Sequence, residues 1–455
     1  MDIINKDTVM TEGISGTIFR NWANTFSCEP ELYFQPSCVE DIKLILEQAK
    51  KNGKKVRVCG KGHSPSDIAC TNEYLVNLDK FTNVLKVDED NCQIKVEAGI
   101  TIKTLNEEVL PKYNMALSTQ GSVSDITVAG SISTGTHGTG KHIGIISTYI
   151  TEIELVTADR KLVKCSRKEN KEIFLAASCS LGCLGIITSV TLQCEPHFKL
   201  QQRQMSCSFK EMVTHLDEHI SNSEYFRFVW YPHTEGVVYW EVDKTNRQKT
   251  SSSNWFWDYA IGFHLLQFLY WISTFCKWLV PVINYVYFKL HSGLRVDIDD
   301  YYNIFGFECL FAQYVTDWAI PREKTSEALE DLKSWLDAHP EVRAHFPVEV
   351  RFAKQDDLYL SPCYGRDSCY INIVMFRPYG KYVEKDGYWT AYENIMLKYN
   401  GRPHWAKEHK LTFKELQNMF PKFERFCEIR KNFDPDGRFV NDYIQKVFIP
   451  KSKND

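Results

Sequence analysis

The chain lacks the features that attach a protein to nucleic acid, zinc or a nucleoside triphosphate. It carries 54 Lys and Arg against 58 Asp and Glu, a formal charge of -4. A phosphate backbone is bound by a basic face, so no nucleic-acid partner is expected. The 15 cysteines are scattered and odd in number. No C-x-x-C pair occurs, and the closest two, Cys179 and Cys183, have no second Cys or His pair at zinc spacing, so no metal site is expected. The thiols read as mostly reduced and buried rather than as a disulfide framework. The opening MDIINKDTVMTEG has no basic end followed by an apolar run, which predicts no cleavable secretory signal. The closing PKSKND carries no retention or prenylation motif. Neither G-x-G-x-x-G between a strand and a helix nor the G-x-x-x-x-G-K-[ST] loop is found, so Rossmann and Walker nucleotide sites are not supported.

What is present is an ordinary globular composition, 44% apolar and 25% charged, over 455 residues. That length suggests about two to three domains. PSCVEDIKLILEQAKKNGKKVRVCG reads as a turn, an amphipathic helix and a strand. Strands and helices then intermix up to GIITSVTLQC, which closes a first domain at about 20–195. A second region, about 196–420, alternates strands (EYFRFVWYP, GVVYWEV, SCYINIVMFRPYG) with helices (REKTSEALEDLKSWLDAH). A closing element at 421–448 turns at Asp434–Gly437 and is anchored by Phe439 and Tyr443.

The segment 255–288 stands apart. Tyr259 to Cys276 holds no Asp, Glu, Lys or Arg, and WLVPVINYVYF follows Lys277. Its length is at the lower limit for a spanning helix. Three readings are open: a membrane-inserted or interfacial segment, a buried helical hairpin, or a subunit interface. Pro281 and the absence of a clear basic flank weaken a simple span.

Three glycine-bearing stretches fall in the first domain: Gly60-Lys61-Gly62-His63-Ser64, TQGSVSDITVAGSISTGTHGTG from Thr119 to Gly140, and LGCLGIIT from Leu181 to Thr188. Glycine admits close backbone approach and positive φ, and successive N–H groups form anion-binding nests. Three such loops in one domain suggest a cradle for a long ligand carrying a pyrophosphate. In the second region PVEVRF sets Glu349 and Arg351 two apart. On a strand both side chains share a face, either as a polar clamp over a ligand or as a surface ion pair worth little.

Gly-Lys-Gly-His-Ser, then Thr-Val-Ala-Gly with Gly-Thr-His-Gly-Thr-Gly, then Leu-Gly-Ile-Ile resemble the FAD-binding domain of the vanillyl-alcohol-oxidase group of flavoproteins. Within that group, GHSPSDIAC, DWAIPREKT, PVEVRF, RPYGK and GRPHWAK resemble the aldonolactone oxidases, in order and over roughly 20–448. The resemblance implies an α+β fold of two domains. One is a PCMH-type FAD-binding domain and the other an α/β substrate (cap) domain built on an antiparallel sheet. It implies FAD as cofactor, bonded covalently to His63. Gly60, Lys61, Gly62, Ser64, Thr127, Gly130, Gly135, Thr136, His137, Gly138 and Ile186 are implied as further cofactor contacts. Lys61 stands where relatives have a third glycine, and either touches the pyrophosphate or a carbonyl edge, or slows attachment. His137 is expected to be a structural hydrogen-bonding residue rather than a proton carrier.

On the substrate side the resemblance implies Glu349, Arg351 and Lys407 as catalytic residues. His404 either orients Lys407 or packs in the core, and Tyr370 and Asn372 are further inward-facing candidates. The implied reaction oxidises a small sugar lactone, L-gulono-1,4-lactone, at C2. The 2-keto product tautomerises to L-ascorbate, and O2 is reduced to H2O2. Alternatives are a dehydrogenase of L-galactono- or D-arabinono-lactone with another acceptor, and a membrane-attached flavin protein without turnover. Location at the endoplasmic reticulum (microsomal) membrane is implied by the family and allowed by segment 255–288.

Overall fold

The structure, a computed structural model, describes residues 12–250, 256–306 and 310–450, with backbone only for 256–260. Trp255, at the start of the apolar segment, lies outside the described residues.

Two sheets build the first half. In the smaller, Leu32–Phe34 and Val56–Cys59 flank Tyr74–Asn77 in parallel. The helix Val39–Lys51 makes the crossover and buries Ile42, Ile45, Leu46 and Ala49, the i, i+3, i+4, i+7 face that its sequence spells. The larger sheet is antiparallel, in the order Leu162–Ser166, Ile150–Val156, Ile186–Gln193, Gln93–Glu97, Val84–Asp88. The glycine stretches fall at the strand ends. Residues 60–64 follow Val56–Cys59, and Leu181–Gly185 lead into Ile186–Gln193. The middle stretch carries the short helix Val128–Ser133, tied back through Val128 N–H to the Ile100 carbonyl at 2.9 Å.

The second half is an eight-stranded antiparallel sheet. Its order is Arg295–Asp300, Lys199–Ser208, Gly236–Thr245, Tyr225–Trp230, Val348–Ala353, Ser368–Phe376, Gln313–Pro321, Arg402–Pro403. Register decides what it displays. Arg227 lies opposite Arg351, which lies opposite Tyr370; Glu349 lies opposite Asn372, which lies opposite Asp317. Because side chains alternate with period two, these six share one face. The other face presents Val348, Val350, Ile371, Ile373 and Trp318, all fully buried.

The last helices, Phe413–Met419, Phe423–Phe433 and Asp442–Phe448, return to the first half. Val56 N–H donates to the Arg438 carbonyl at 2.7 Å, and Arg438 Nη1 donates to the Ala49 carbonyl at 3.1 Å. Phe439 and Tyr443 are buried as anchors.

Segment 255–288 resolves into a bent helical hairpin. A wide-turned helix Phe256–Leu265 runs into Leu266–Ser273; the chain breaks at Thr274–Trp278 and returns as Leu279–His291. Pro281 sits in the first turn of the return helix, where a missing N–H costs nothing. Among the described residues no helix is long and apolar enough to cross a membrane. One side of the hairpin is buried against the sheet through Leu266, Tyr270, Val280, Ile283 and Tyr287. Asn284 fixes it: its Nδ2 donates to the Pro232 and Ala344 carbonyls at 2.9 and 3.0 Å, and its Oδ1 accepts from Tyr270 Oη at 3.0 Å. The other side leaves Phe275 and Trp278 about two-thirds exposed, at 66% and 65%, with Val282, Tyr285, Val286 and Leu290 beside them.

Candidate active site

A cleft enclosing about 1590 Å³, partly open to solvent, runs between the glycine loops and the polar face of the large sheet. Sixteen of the eighteen residues singled out from the sequence line it: Gly60, Lys61, Gly62, His63, Ser64, Thr127, Gly130, Thr136, His137, Ile186, Glu349, Arg351, Tyr370, Asn372, His404 and Lys407. Gly135 and Gly138 do not. They lie behind the wall: a Cβ on Gly138 would meet Thr119 Oγ1 at 2.2 Å, so its smallness serves packing, while Gly135 holds φ +69°.

The cradle is held by Arg57, which the sequence reading missed. Its guanidinium, 3% exposed, donates from Nη2 to the Ile68 and Leu181 carbonyls at 2.6 and 3.1 Å and from Nη1 to that of Phe439 at 3.1 Å. One buried charge thus ties the first loop, the third loop and the closing element. Gly62 adopts φ +70°, and its carbonyl accepts from Trp22 N–H at 2.8 Å. His63 is thereby presented on the cleft wall, with the Trp22 ring stacked at 6.1 Å and Asp125 Oδ2 at 3.8 Å from Nε2. Burial lowers its pKa, aided by the charge of Lys407 and opposed by Asp125, so the neutral, nucleophilic imidazole is favoured. Lys61 turns to Asp79, with Nζ 3.3 Å from Oδ1.

The sheet face supplies the rest. Glu349 Oε1 accepts from Arg351 Nη2 at 2.6 Å and lies 3.7 Å from Arg227 Nη1. Arg351 Nη2 also donates to Ser122 Oγ, from the middle glycine stretch. Burial, reinforced by the neighbouring Arg351 charge, pulls Arg227 down to about 10. Two buried guanidiniums therefore share one carboxylate, and Arg351 Nε has no partner among the described protein atoms. Desolvating two cations for one anion is costly. It leaves surplus positive potential turned into the cleft.

Beside them, His137 Nδ1 faces the Gly138 carbonyl oxygen at 2.9 Å and Nε2 faces Asp317 Oδ2 at 3.2 Å. Its ring stacks on Tyr370 at 3.6 Å. Both ring nitrogens are thus engaged. Burial pushes the Asp317 carboxyl up, but the hydrogen bond and charge of His137, with His404 and Lys407, outweigh it and hold it below the usual range. His404 is buried. Its Nδ1 accepts from Ala406 N–H at 3.1 Å, and its own N–H donates to the Asp317 carbonyl at 2.9 Å. It braces the Lys407 turn, in which Lys407 N–H donates to the His404 carbonyl at 2.9 Å. Ser122, Arg227 and Asp317 were not singled out from sequence. A lone charge inside apolar runs such as YVTDWAIP and EYFRFVW was the available signal.

Burial drives His404, His345 and His409 down to about 3. The unfolded chain protonates them below about 6.5 while the folded one does not, so stability is lost as pH falls below 6.5. At pH 5 each costs about 2 kcal/mol, a large share of an ordinary folding free energy. The melting temperature is expected to fall steeply between pH 6.5 and 5. A flat profile there would show these imidazoles are not held neutral.

The comparisons agree with this geometry. The D-arabinono-1,4-lactone oxidase family model matches residues 190–447, and an FAD-binding-domain model matches 30–166. The chain belongs to the D-arabinono-1,4-lactone oxidase family. Its similarity extends to L-gulonolactone oxidase of Bos taurus, 51% identical across 96% of this chain and all of that one. L-gulono-1,4-lactone dehydrogenase of Mycobacterium tuberculosis is 32% identical, across 95% of this chain and 99% of the other. A solved cholesterol oxidase shares the fold, with TM-score 0.80 at 17% identity over 95% of this chain and 97% of that one. As a member of this family the protein is an FAD-dependent oxidoreductase. The cleft fits the cofactor: Gly60, Gly62, Gly121, Gly130, Gly182 and Gly185 line it, so backbone rather than side chain faces a long ligand, and a Cβ at Gly60 would meet Thr127 Oγ1 at 2.4 Å, which packs the first loop against the middle one. The first, middle and third loops would hold FAD, leaving the Glu349–Arg351 face for substrate.

Proposed function

We propose that the protein oxidises the C2 hydroxyl of L-gulono-1,4-lactone, with O2 as acceptor, to the 2-keto lactone that tautomerises to L-ascorbate. The observation that carries the reading is the pair of buried guanidiniums sharing Glu349 at the end of a flavin cleft. As C2–O–H loses its proton, negative charge grows on oxygen, and a preorganised cation stabilises it without reorganisation. Arg351 and Lys407 take that part. Glu349 accepts hydrogen bonds from neighbouring lactone hydroxyls and fixes the ring's orientation. His404 and Asp317 hold the Lys407 turn and the His137–Tyr370 wall. Bound FAD supplies the two-electron acceptor and passes the electrons to O2 as hydrogen peroxide. We assign His63 as the covalent attachment point, through the 8α-methyl of the flavin.

The oxidase reading is favoured over a dehydrogenase by the higher identity to the Bos taurus oxidase. Anaerobic mixing with L-gulono-1,4-lactone, followed by oxygenated buffer, tests both halves. Rapid bleaching and rapid recovery of flavin absorbance are expected. Slow recovery would replace O2 by another acceptor, and no bleaching would sink the substrate assignment.

The outer face of the 256–291 hairpin supports peripheral attachment to the endoplasmic reticulum membrane. Aromatic and aliphatic side chains there lie beside Lys277 and Lys289, a pattern suited to a lipid interface. Replacing Phe275, Trp278 and Val282 with serine is expected to shift the protein from the membrane pellet to the supernatant with kcat unchanged. Unchanged sedimentation would end the membrane assignment.

A further inference from the structure

Cys28 ends the strand Ser27–Cys28 of the hairpin that carries Trp22, and Cys70 ends the loop that carries His63. Both thiols are free, yet their side chains are hydrogen-bonded to each other. Thr71 N–H also donates to Cys28 Sγ, at 3.3 Å. Neither thiol takes part in the cofactor or lactone contacts described above. Both backbones are pinned. The Cys70 carbonyl accepts from Asn441 Nδ2 at 2.9 Å, and the Cys28 hairpin is fixed by Asn21 Nδ2, which donates to the Ser64 carbonyl at 3.1 Å. The Thr71 bond sets the Cys28 sulfur against the end of the Cys70 loop, on a separate segment and next to exposed Ser27 and Glu29, so the two thiols are placed to join.

We propose that Cys28 and Cys70 form an oxidation site for hydroperoxides, closing to an intramolecular disulfide under the hydrogen peroxide that turnover releases. The peroxide source rests on the oxidase reading above; the reactivity of the pair does not. The roles divide by environment. The hydrogen bond from Cys70, with that from Thr71 N–H, outweighs burial and lowers Cys28 to about 7, while the same contact and burial raise Cys70. Cys28 is thus the thiolate nucleophile. Its sulfur attacks one peroxide oxygen; an S–O bond forms as O–O breaks, and hydroxide leaves as water with the Cys70 proton. The Cys70 sulfur then attacks the Cys28 sulfenic acid; S–S forms, S–O breaks, and the departing hydroxide takes up the proton first lost by Cys28. Two thiols give up two electrons, and one peroxide becomes two waters. Cys59 lies nearby, but burial raises it to about 12, which keeps it a thiol.

The bond joins the hairpin whose Trp22 stacks on His63 to the far end of the His63 loop, so oxidation stiffens one wall of the cofactor cleft. The test treats catalase-free holoenzyme with hydrogen peroxide, blocks remaining thiols with N-ethylmaleimide, and maps peptides without reduction. The expected result is a cross-linked Cys28–Cys70 peptide, reversed by dithiothreitol, with loss of alkylation at these two sites but not at exposed Cys38. In C70S, dimedone should instead trap a sulfenic acid on Cys28; in C28S it should label nothing at Cys70. Full alkylation of both cysteines in treated wild type, or equal oxidation of Cys38, would overturn the proposal. A parallel sample driven by lactone and O2 should form the same bond, and added catalase should prevent it. A bond formed with added peroxide but not during turnover would overturn the peroxide source, and with it the oxidase reading, leaving the pair's reactivity standing.

Discussion

Alanine at position 351 is expected to lower kcat/KM for L-gulono-1,4-lactone by about 10²–10³-fold, the usual cost of removing one preorganised donor from a developing oxyanion. The fall should lie mainly in kcat, because the charge it stabilises appears only as the C2 hydroxyl ionises. Three consequences follow from the contacts of Arg351. Glu349 loses its 2.6 Å donor and keeps Arg227 at 3.7 Å, Ser122 Oγ loses its donor, and the positive potential of the cleft falls by one charge. R351K should recover part of the rate, since it restores a point charge but not the fork that reaches both Glu349 and Ser122. Flavin content should stay near the wild-type level, because the ties of the cradle to Arg57 remain and only the Ser122 contact of the middle stretch is lost. A kcat/KM within a few-fold of wild type would remove Arg351 from the chemistry.

His63→Ala should release the cofactor. Acid precipitation of the wild-type enzyme is expected to carry the flavin absorbance down with the chain, and the variant should leave it in the supernatant. Turnover at saturating FAD should fall about tenfold or more, at least about 1.4 kcal/mol of barrier. A flavin attached there would be the better electron acceptor, and the glycine turn would hold it in one pose. That turn survives the substitution, since Gly62 and the Trp22 bond to its carbonyl do not involve the imidazole. Loss of attachment should therefore come without loss of fold. Absorbance that stayed with the precipitated variant would show the bond lies elsewhere or does not form.

Much of this site was legible in the sequence because its parts are local. The glycine turn around His63, the glycine-bearing run from Thr119 to Gly140 and the two-residue spacing of Glu349 and Arg351 each lie within one short segment, and one-face display follows from strand periodicity alone. Arg227 and Asp317 were not legible. They join the site through cross-strand register between segments more than thirty residues apart, and only that pairing turns scattered charges into a cluster. Gly135 and Gly138 sit inside a motif whose neighbours face the cleft, but a left-handed backbone requires the first and close packing the second. Segment 255–288 was ambiguous for a different reason. A run apolar on all sides has no periodicity to say which face is buried. The break before Leu279 and the bonds of Asn284 decide it, and both depend on the sheet beneath.

The return of the chain's end to its beginning sets the order in which the enzyme is made. Arg57, set after the first helix, finds its Phe439 partner nearly four hundred residues later, and the strand starting at Val56 is completed by the Arg438 carbonyl. At about 5–20 residues per second, the ribosome needs roughly 13–50 s to travel from the last strand of the cofactor half to the final helix. For that interval the nascent cofactor half carries an unfinished edge, and its loops lack the segment that pins them. Flavin capture is therefore expected late in biosynthesis, and a chain stopped a few dozen residues early is expected to lose its cofactor before its substrate face.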